Sequence, residues 1–239
     1  MSTASLPTHY GMTLTPTIHS TIPSSLDPTL TSLPRPFIAV VTGAGKGLGY
    51  HISLAFARAG CSGISISSRT MGDLEKLEEE IRKVRGKEVE VLKSVCDVTS
   101  DDSVRKLEEE VRAKWGRVDV VVANAGVISN YVTRSTGQGD GEGQEESNLP
   151  IGILEDSDWS RVLDINLHGT WRLSRAFMPL LLDNSGGKGG PKTLICSTSL
   201  ASHSVNSQMT PIAYNVSKIA CNRLIEHVAN DHGGKGVQA

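Results

Sequence analysis

From Pro36 onward, short runs rich in Val and Ile alternate with longer segments in which apolar residues recur every three or four positions. A regular succession of period two and period 3.6 leaves few architectures open. Residues 37–42, 63–67, 88–93, 118–123 and 192–197 read as strands. Residues 46–59, 71–84, 100–114, 158–182 and 212–230 read as helices, with Leu74, Leu77, Ile81 and Val84 on one stripe. Strands that are apolar along their length are covered on both faces, which predicts an α/β fold: a doubly wound parallel sheet with helices on both faces. Such sheets bind ligands at the carboxyl ends of their strands, where the strand order reverses.

The remaining stretches bound this domain. Residues 1–35 hold 19 Ser, Thr or Pro and two charged side chains, Asp27 and Arg35, too little apolar surface to fold alone. They are expected as an N-terminal extension, with residues 36–239 forming the domain. Residues 129–150 are polar and Gly-rich and are expected as an inserted loop, and residues 184–191 as a turn. Lys plus Arg total 24 against 26 Asp plus Glu, a net charge of −2, which gives no basic field for nucleic acid. No apolar run approaches the roughly 18 residues of a membrane span. Cys61, Cys96, Cys196 and Cys221 lie far apart, and the seven histidines show no ligand spacing. Reduced thiols, no metal and a cytoplasmic location are therefore expected.

The first strand runs into Thr42-Gly43-Ala44-Gly45-Lys46-Gly47-Leu48-Gly49, which opens the first helix. Glycines there permit positive φ and a close approach of backbone to a pyrophosphate, whose charge the free N–H groups and positive end of the helix hold. In the first βαβ unit this is a dinucleotide-binding turn, which makes the sheet Rossmann-type. At the end of the second strand a carboxylate would favour the ribose 2′-hydroxyl of NAD; the chain instead has Ser68 followed by Arg69, and Lys46 adds a cation in the loop. Both cations suit a 2′-phosphate, so NADP (NADPH) is expected and NAD is less favoured.

Tyr214 and Lys218 are four apart and share a helix face. An ammonium one turn from a phenol favours the phenolate, as a general acid/base needs. With these motifs in hand, the chain resembles the classical short-chain dehydrogenase/reductase family from about Pro36 to its end. Cys96-Asp97-Val98-Thr99 is similar to the family's adenine contact, Asn124-Ala125-Gly126 to its Asn-Ala-Gly motif, Asp164-Ile165-Asn166 to its Asn-bearing helix, and Tyr214-Asn215-Val216-Ser217-Lys218 to YxxxK.

The resemblance implies an oxidoreductase that interconverts a carbonyl and a secondary alcohol by hydride transfer, with Tyr214 as acid/base and Lys218 also on the nicotinamide ribose. Asn166 would hold a water that links Lys218 to solvent. The family's serine usually lies 13 before the tyrosine, but position 201 (214 minus 13) is Ala201, so the register shifts and Ser199 is expected in that role, with Ser197 next. Relative to the family pattern the C-terminal strands are expected to be incomplete and the substrate-covering region absent, since the sequence stops at Ala239 within the sixth strand. That leaves a second expectation open, a non-catalytic dinucleotide-binding or interaction protein. Family members commonly form dimers or tetramers through the helices that carry Asn166 and Tyr214.

Overall fold

Every residue of β1 (Ile38–Thr42) is buried, and the strand's period of two divides them: Ala39 and Val41 pack into one helical layer and Val40 into the other. The structure is a computed structural model that describes residues 21–129, 132–135, 146–149, 158–183, 190–203, 205 and 210–239. After β1 come α1 (Gly47–Arg58), β2 (Gly63–Ser68), α2 (Met71–Arg85), β3 (Glu90–Val95), α3 (Asp101–Trp115) and β4 (Val120–Ala123). There follow β5 (Val132–Ser135), β6 (Glu146–Leu149), α4 (Trp159–Leu163), α5 (Gly169–Asp183), β7 (Lys192–Cys196), α6 (Ile212–His232) and β8 (Val237–Gln238). The main sheet is parallel throughout, in the order β3-β2-β1-β4-β7-β8. Its order reverses between β1 and β4, so the crevice predicted from the sequence opens at the carboxyl ends of those two strands.

Two apolar layers hold the sheet. On one face Leu54 and Ala57 of α1 and Leu74, Leu77 and Ile81 of α2 meet Ala39, Val41, Ile64 and Ile66. On the other, Leu107 and Val111 of α3 and Leu173, Phe177 and Leu181 of α5 meet Val40, Val121 and Leu194. Local chemistry sets the helix limits. The Ser100 hydroxyl accepts from the Ser103 amide at 3.2 Å, Asp101 and Asp102 face the positive end of α3, and Gly116 closes it with φ 66°. Beneath the sheet, the buried Asp119 carboxylate accepts from Arg117 at 2.6 Å and from the Ile38 amide at 2.8 Å, fastening the start of β1 to β4.

Some boundaries differ from expectation. β3 begins at Glu90 because Gly86 ends α2 with φ 59° and the Glu88 amide then bonds Arg85, which takes the next residues into a turn. Val84 accordingly falls off the buried stripe, which ends at Ile81. The helix expected over 158–182 is interrupted by a π-helical turn at Asp164–His168. Within the expected polar loop, β5 and β6 pair antiparallel; most of that stretch, and residues 184–189 of the expected turn, lie outside the described residues. Residues 1–20 of the extension also lie outside them. Farther along it, the Leu33 amide donates to Ala59 at 3.0 Å and the Leu33 side chain packs on the α1 layer.

Candidate active site

The glycine turn is built as its chemistry requires. Gly43 and Gly47 have φ of 64° and 59°, a region that L side chains avoid. α1 starts with no side-chain cap, Lys46 being its N-cap, so its first N–H groups remain available to an anion. A Cβ on Gly49 would lie 2.4 Å from the Gly43 oxygen and 2.5 Å from Asn124 Nδ2, so helix, turn and the end of β4 meet in closest contact there.

Asn124 ties three strand ends together. Its amide donates to the Thr42 carbonyl at 3.0 Å and the Gly43 carbonyl at 3.3 Å, and its Oδ1 accepts from the Ser197 hydroxyl at 3.1 Å. Thr42 Oγ1 accepts in turn from the amides of Asn124 and Ala125 at 3.1 and 3.2 Å.

Above these ends lies a cavity of about 970 Å³, within the range of small-molecule and cofactor sites. Of the residues singled out from the sequence, Gly43, Gly45, Lys46, Gly47, Leu48, Ser68, Arg69, Asp97, Val98, Asn124, Ala125, Gly126, Tyr214 and Lys218 line it. The sheet order spreads them: Ser68 and Arg69 stand at the end of the strand on one side of β1, and Tyr214 and Lys218 come from α6, which packs against β7 and β8 on the other. Positive-φ glycines, an uncapped helix start and a cavity of this extent fit a dinucleotide; Lys46, Ser68 and Arg69 would hold its adenosine end, and Tyr214 and Lys218 its reactive end. Asp97 fixes its own turn by accepting from the Thr99 amide at 2.9 Å and the Thr99 hydroxyl at 2.8 Å. The amide bond above all holds its carboxyl below the usual carboxylate range.

Thr42, Gly49, Asn166 and Ser199 do not line the cavity. The first two support it as just described. Asn166 is 1% exposed, and its side chain is used internally: Oδ1 accepts from the Val127 amide at 2.8 Å, and Nδ2 donates to the Val127 carbonyl at 2.8 Å and to Ser217 Oγ at 3.0 Å. It thereby clamps the Asn124–Val127 segment to α6. Lys218, 5% exposed, donates from Nζ to the Ser197 carbonyl at 2.7 Å, with the ammonium 5.6 Å from the centre of the Tyr214 ring.

Ser199, expected as the family's serine, stands at a turn. Its Oγ accepts from the Ala201 amide at 3.1 Å and its carbonyl accepts from Ser202, so it caps the short 3-10 turn Leu200–His203. Ser197 and Thr198 line the cavity instead. Thr198, not singled out from the sequence, has no hydrogen-bond partner among the described residues.

One residue not singled out from the sequence joins the adenosine end. The sequence offers no carboxylate at the end of β2, but the first turn of α2 brings Asp73 into the cavity lining, 3.3 Å from Lys46 Nζ. Among the described residues no cluster of three His, Cys, Asp or Glu is placed to hold a metal ion, and no helix is long and apolar enough to cross a membrane.

Comparison with known proteins agrees with this geometry. The family model for short chain dehydrogenase matches residues 37–239. The short chain dehydrogenase pgmD of Aspergillus terreus is 30% identical over 238 residues, covering 97% of this chain and 70% of that protein. The 7alpha-hydroxysteroid dehydrogenase of Escherichia coli is 28% identical over 200 residues, covering 84% of this chain and 67% of its own length. Among solved structures, a short-chain type dehydrogenase/reductase from Mycobacterium marinum superposes with a TM-score of 0.70 at 25% identity, covering 90% of this chain and 75% of that one. An alcohol dehydrogenase from the archaeon Thermococcus sibiricus, complexed with 5-hydroxy-NADP, has a TM-score of 0.63 at 26% identity, covering 82% and 72%. A Rossmann-type sheet, a glycine turn under one end of the cavity, Tyr214 and Lys218 at the other and a family match over the whole domain lead to one assignment: the chain belongs to the short-chain dehydrogenase/reductase family of oxidoreductases.

Proposed function

We propose that the chain is an NADP-preferring oxidoreductase that interconverts a carbonyl and a secondary alcohol on a small or lipophilic substrate. The observation that carries this reading is that Tyr214 and Lys218 line the same cavity as the glycine turn and Arg69. When bound, the nicotinamide supplies or accepts the hydride. Tyr214 donates its phenolic proton to the substrate oxygen in reduction and takes it back in oxidation. Lys218 stabilises the phenolate between these events, its ammonium fixed by the Ser197 carbonyl. Ser199 orients the substrate oxygen, since its Oγ accepts from the Ala201 amide and keeps its own proton to donate, while Ser197 donates to Asn124 and Thr198 stands beside it on the cavity wall. Asn166 acts through position, holding Val127 and the Asn124–Gly126 stretch before it against α6.

Lys46 and Arg69 support NADP over NAD as the chain's cofactor. Exposed Trp171 on α5 and Val216 and Ile219 on α6 support association with a second copy through these helices, to be read by light scattering. Four free cysteines suit a reducing, cytoplasmic compartment. The test of function is a panel of aldehydes, ketones and quinones incubated with the chain and NADPH. Oxidation of NADPH that depends on one class of carbonyl is expected; a panel with no turnover, from a chain that binds NADPH, would refute the enzyme reading.

A further inference from the structure

The end of β2 carries Ser68 and Arg69, and from these alone the adenosine end of the cavity is cationic. The fold adds an opposing charge. Asp73 lies in the first turn of α2, a position that the helix dipole favours for a carboxylate, and the helix turns it back over the glycine loop. A Cβ on Gly45 would lie 3.0 Å from Asp73 Cβ and 3.1 Å from Ser68 Oγ, so Asp73 stands beside the slot that a ribose 2′ substituent would enter. Its Oδ2 is 3.3 Å from Lys46 Nζ; the carboxylate side chain is 18% exposed and the lysine side chain 81% exposed. The cation best placed in the loop for a 2′-phosphate is therefore already paired, and its partner is an anion that the phosphate must face.

Resting on the reading of the cavity as an NADP site, we propose that Asp73 sets the cofactor ratio: it holds Lys46 away from the 2′-phosphate and accepts from a 2′-hydroxyl. The chain then takes both cofactors, with a preference for NADPH that Asp73 keeps small. Nothing in the motif pattern assigns this role, because the position lies within a helix and five residues beyond Ser68.

The experiment is a double-mutant cycle on the full chain. Dissociation constants for NADPH and NADH are measured by calorimetry for wild type, Asp73→Asn, Lys46→Ala and the double variant, with Asp73→Ser as a second helix-compatible change. Asp73→Asn and Asp73→Ser should each raise the preference for NADPH over NADH about fivefold, the upper worth of one exposed charge pair. The rise should shrink in 0.5 M salt, where the Debye length is about 4 Å against about 30 Å in 0.01 M buffer. Lys46→Ala should cost more NADPH affinity in the Asp73→Asn background than in wild type, because the ammonium is free there. A preference within twofold of wild type in both Asp73 variants, or an equal Lys46→Ala loss in both backgrounds, overturns the proposal. A wild type that binds NADH more tightly refutes the NADP reading alone, and the shift on Asp73→Asn still decides this one. Wild type that binds neither cofactor overturns both.

Discussion

Replacing Gly49 by Ala exchanges one hydrogen for a methyl group, and the structure says what that carbon meets. Its position is 2.4 Å from the Gly43 carbonyl oxygen and 2.5 Å from Asn124 Nδ2, against about 3.4 Å for ordinary contact, so the glycine turn or the end of β4 must retreat by about 1 Å. Neither neighbour is a flexible tip: one is backbone, and the other is held by three hydrogen bonds. A displacement of about 1 Å in a positioning element costs on the order of a hundredfold in turnover. Overpacking costs about 1–3 kcal/mol of stability, offset in part by the better helix propensity of Ala, about 0.5–1 kcal/mol. NADPH fluorescence titration of Gly49→Ala should therefore show at least a tenfold loss of affinity in a chain that still melts cooperatively. Gly233→Ala is the control. It has open space and a helical φ of −58°, and should gain about 0.4–1 kcal/mol with affinity unchanged. A Gly49→Ala chain that binds NADPH within threefold of wild type would show that the contact at Gly49 does not hold the turn in its binding shape.

Three other outcomes follow from buried or perturbed groups. Asp119→Ala leaves the Arg117 guanidinium buried without its partner and should cost about 3–5 kcal/mol by urea unfolding, most of it recovered in Arg117→Met/Asp119→Leu. A loss under about 1 kcal/mol contradicts the fastening of β1 to β4. A hydrogen bond from Cys221 lowers the Cys196 thiol, and burial raises that of Cys61 to about 12. Iodoacetamide at neutral pH should thus label Cys196 before Cys61, as peptide mass mapping will report. The Thr99 amide depresses the Asp97 carboxyl, so its contribution is complete above the unfolded value near 3.9 and is lost as pH falls through the lower folded value. Asp97→Asn should flatten the acid limb of stability below about pH 4; an equally steep limb contradicts this.

The strand and helix order was legible because period two and period 3.6 alternate from Pro36, outside the polar stretches 129–150 and 184–191, and the glycine turn because its spacing has a mechanism. The sheet order then brought most of the residues singled out from the sequence to one cavity. Three features were not legible, each for a physical reason. Ser199 and Ser197 could not be told apart by counting from Tyr214, because loop length does not fix register. Which hydroxyl faces the cavity depends on the turn that Ser199 caps. The π-helical turn at Asp164–His168 shifts hydrogen bonding by one residue with no compositional mark, yet it aims Asn166 inward at Val127 and Ser217. Asp73 escaped because it sits in a helix, and only the approach of α2 to the glycine turn turns a helix-starting carboxylate into a neighbour of Lys46.

Tyr214→Phe is the most direct test of the account, because it removes one oxygen and nothing else from the proposed acid/base. With the best carbonyl substrate from the panel, the variant should lose turnover by three orders of magnitude or more, about the upper worth of a positioned acid. NADPH affinity should stay within a few-fold of wild type, since Lys218 and the glycine turn are intact. Turnover within tenfold of wild type, at equal NADPH affinity, would contradict the assignment of Tyr214 as the group that moves the proton.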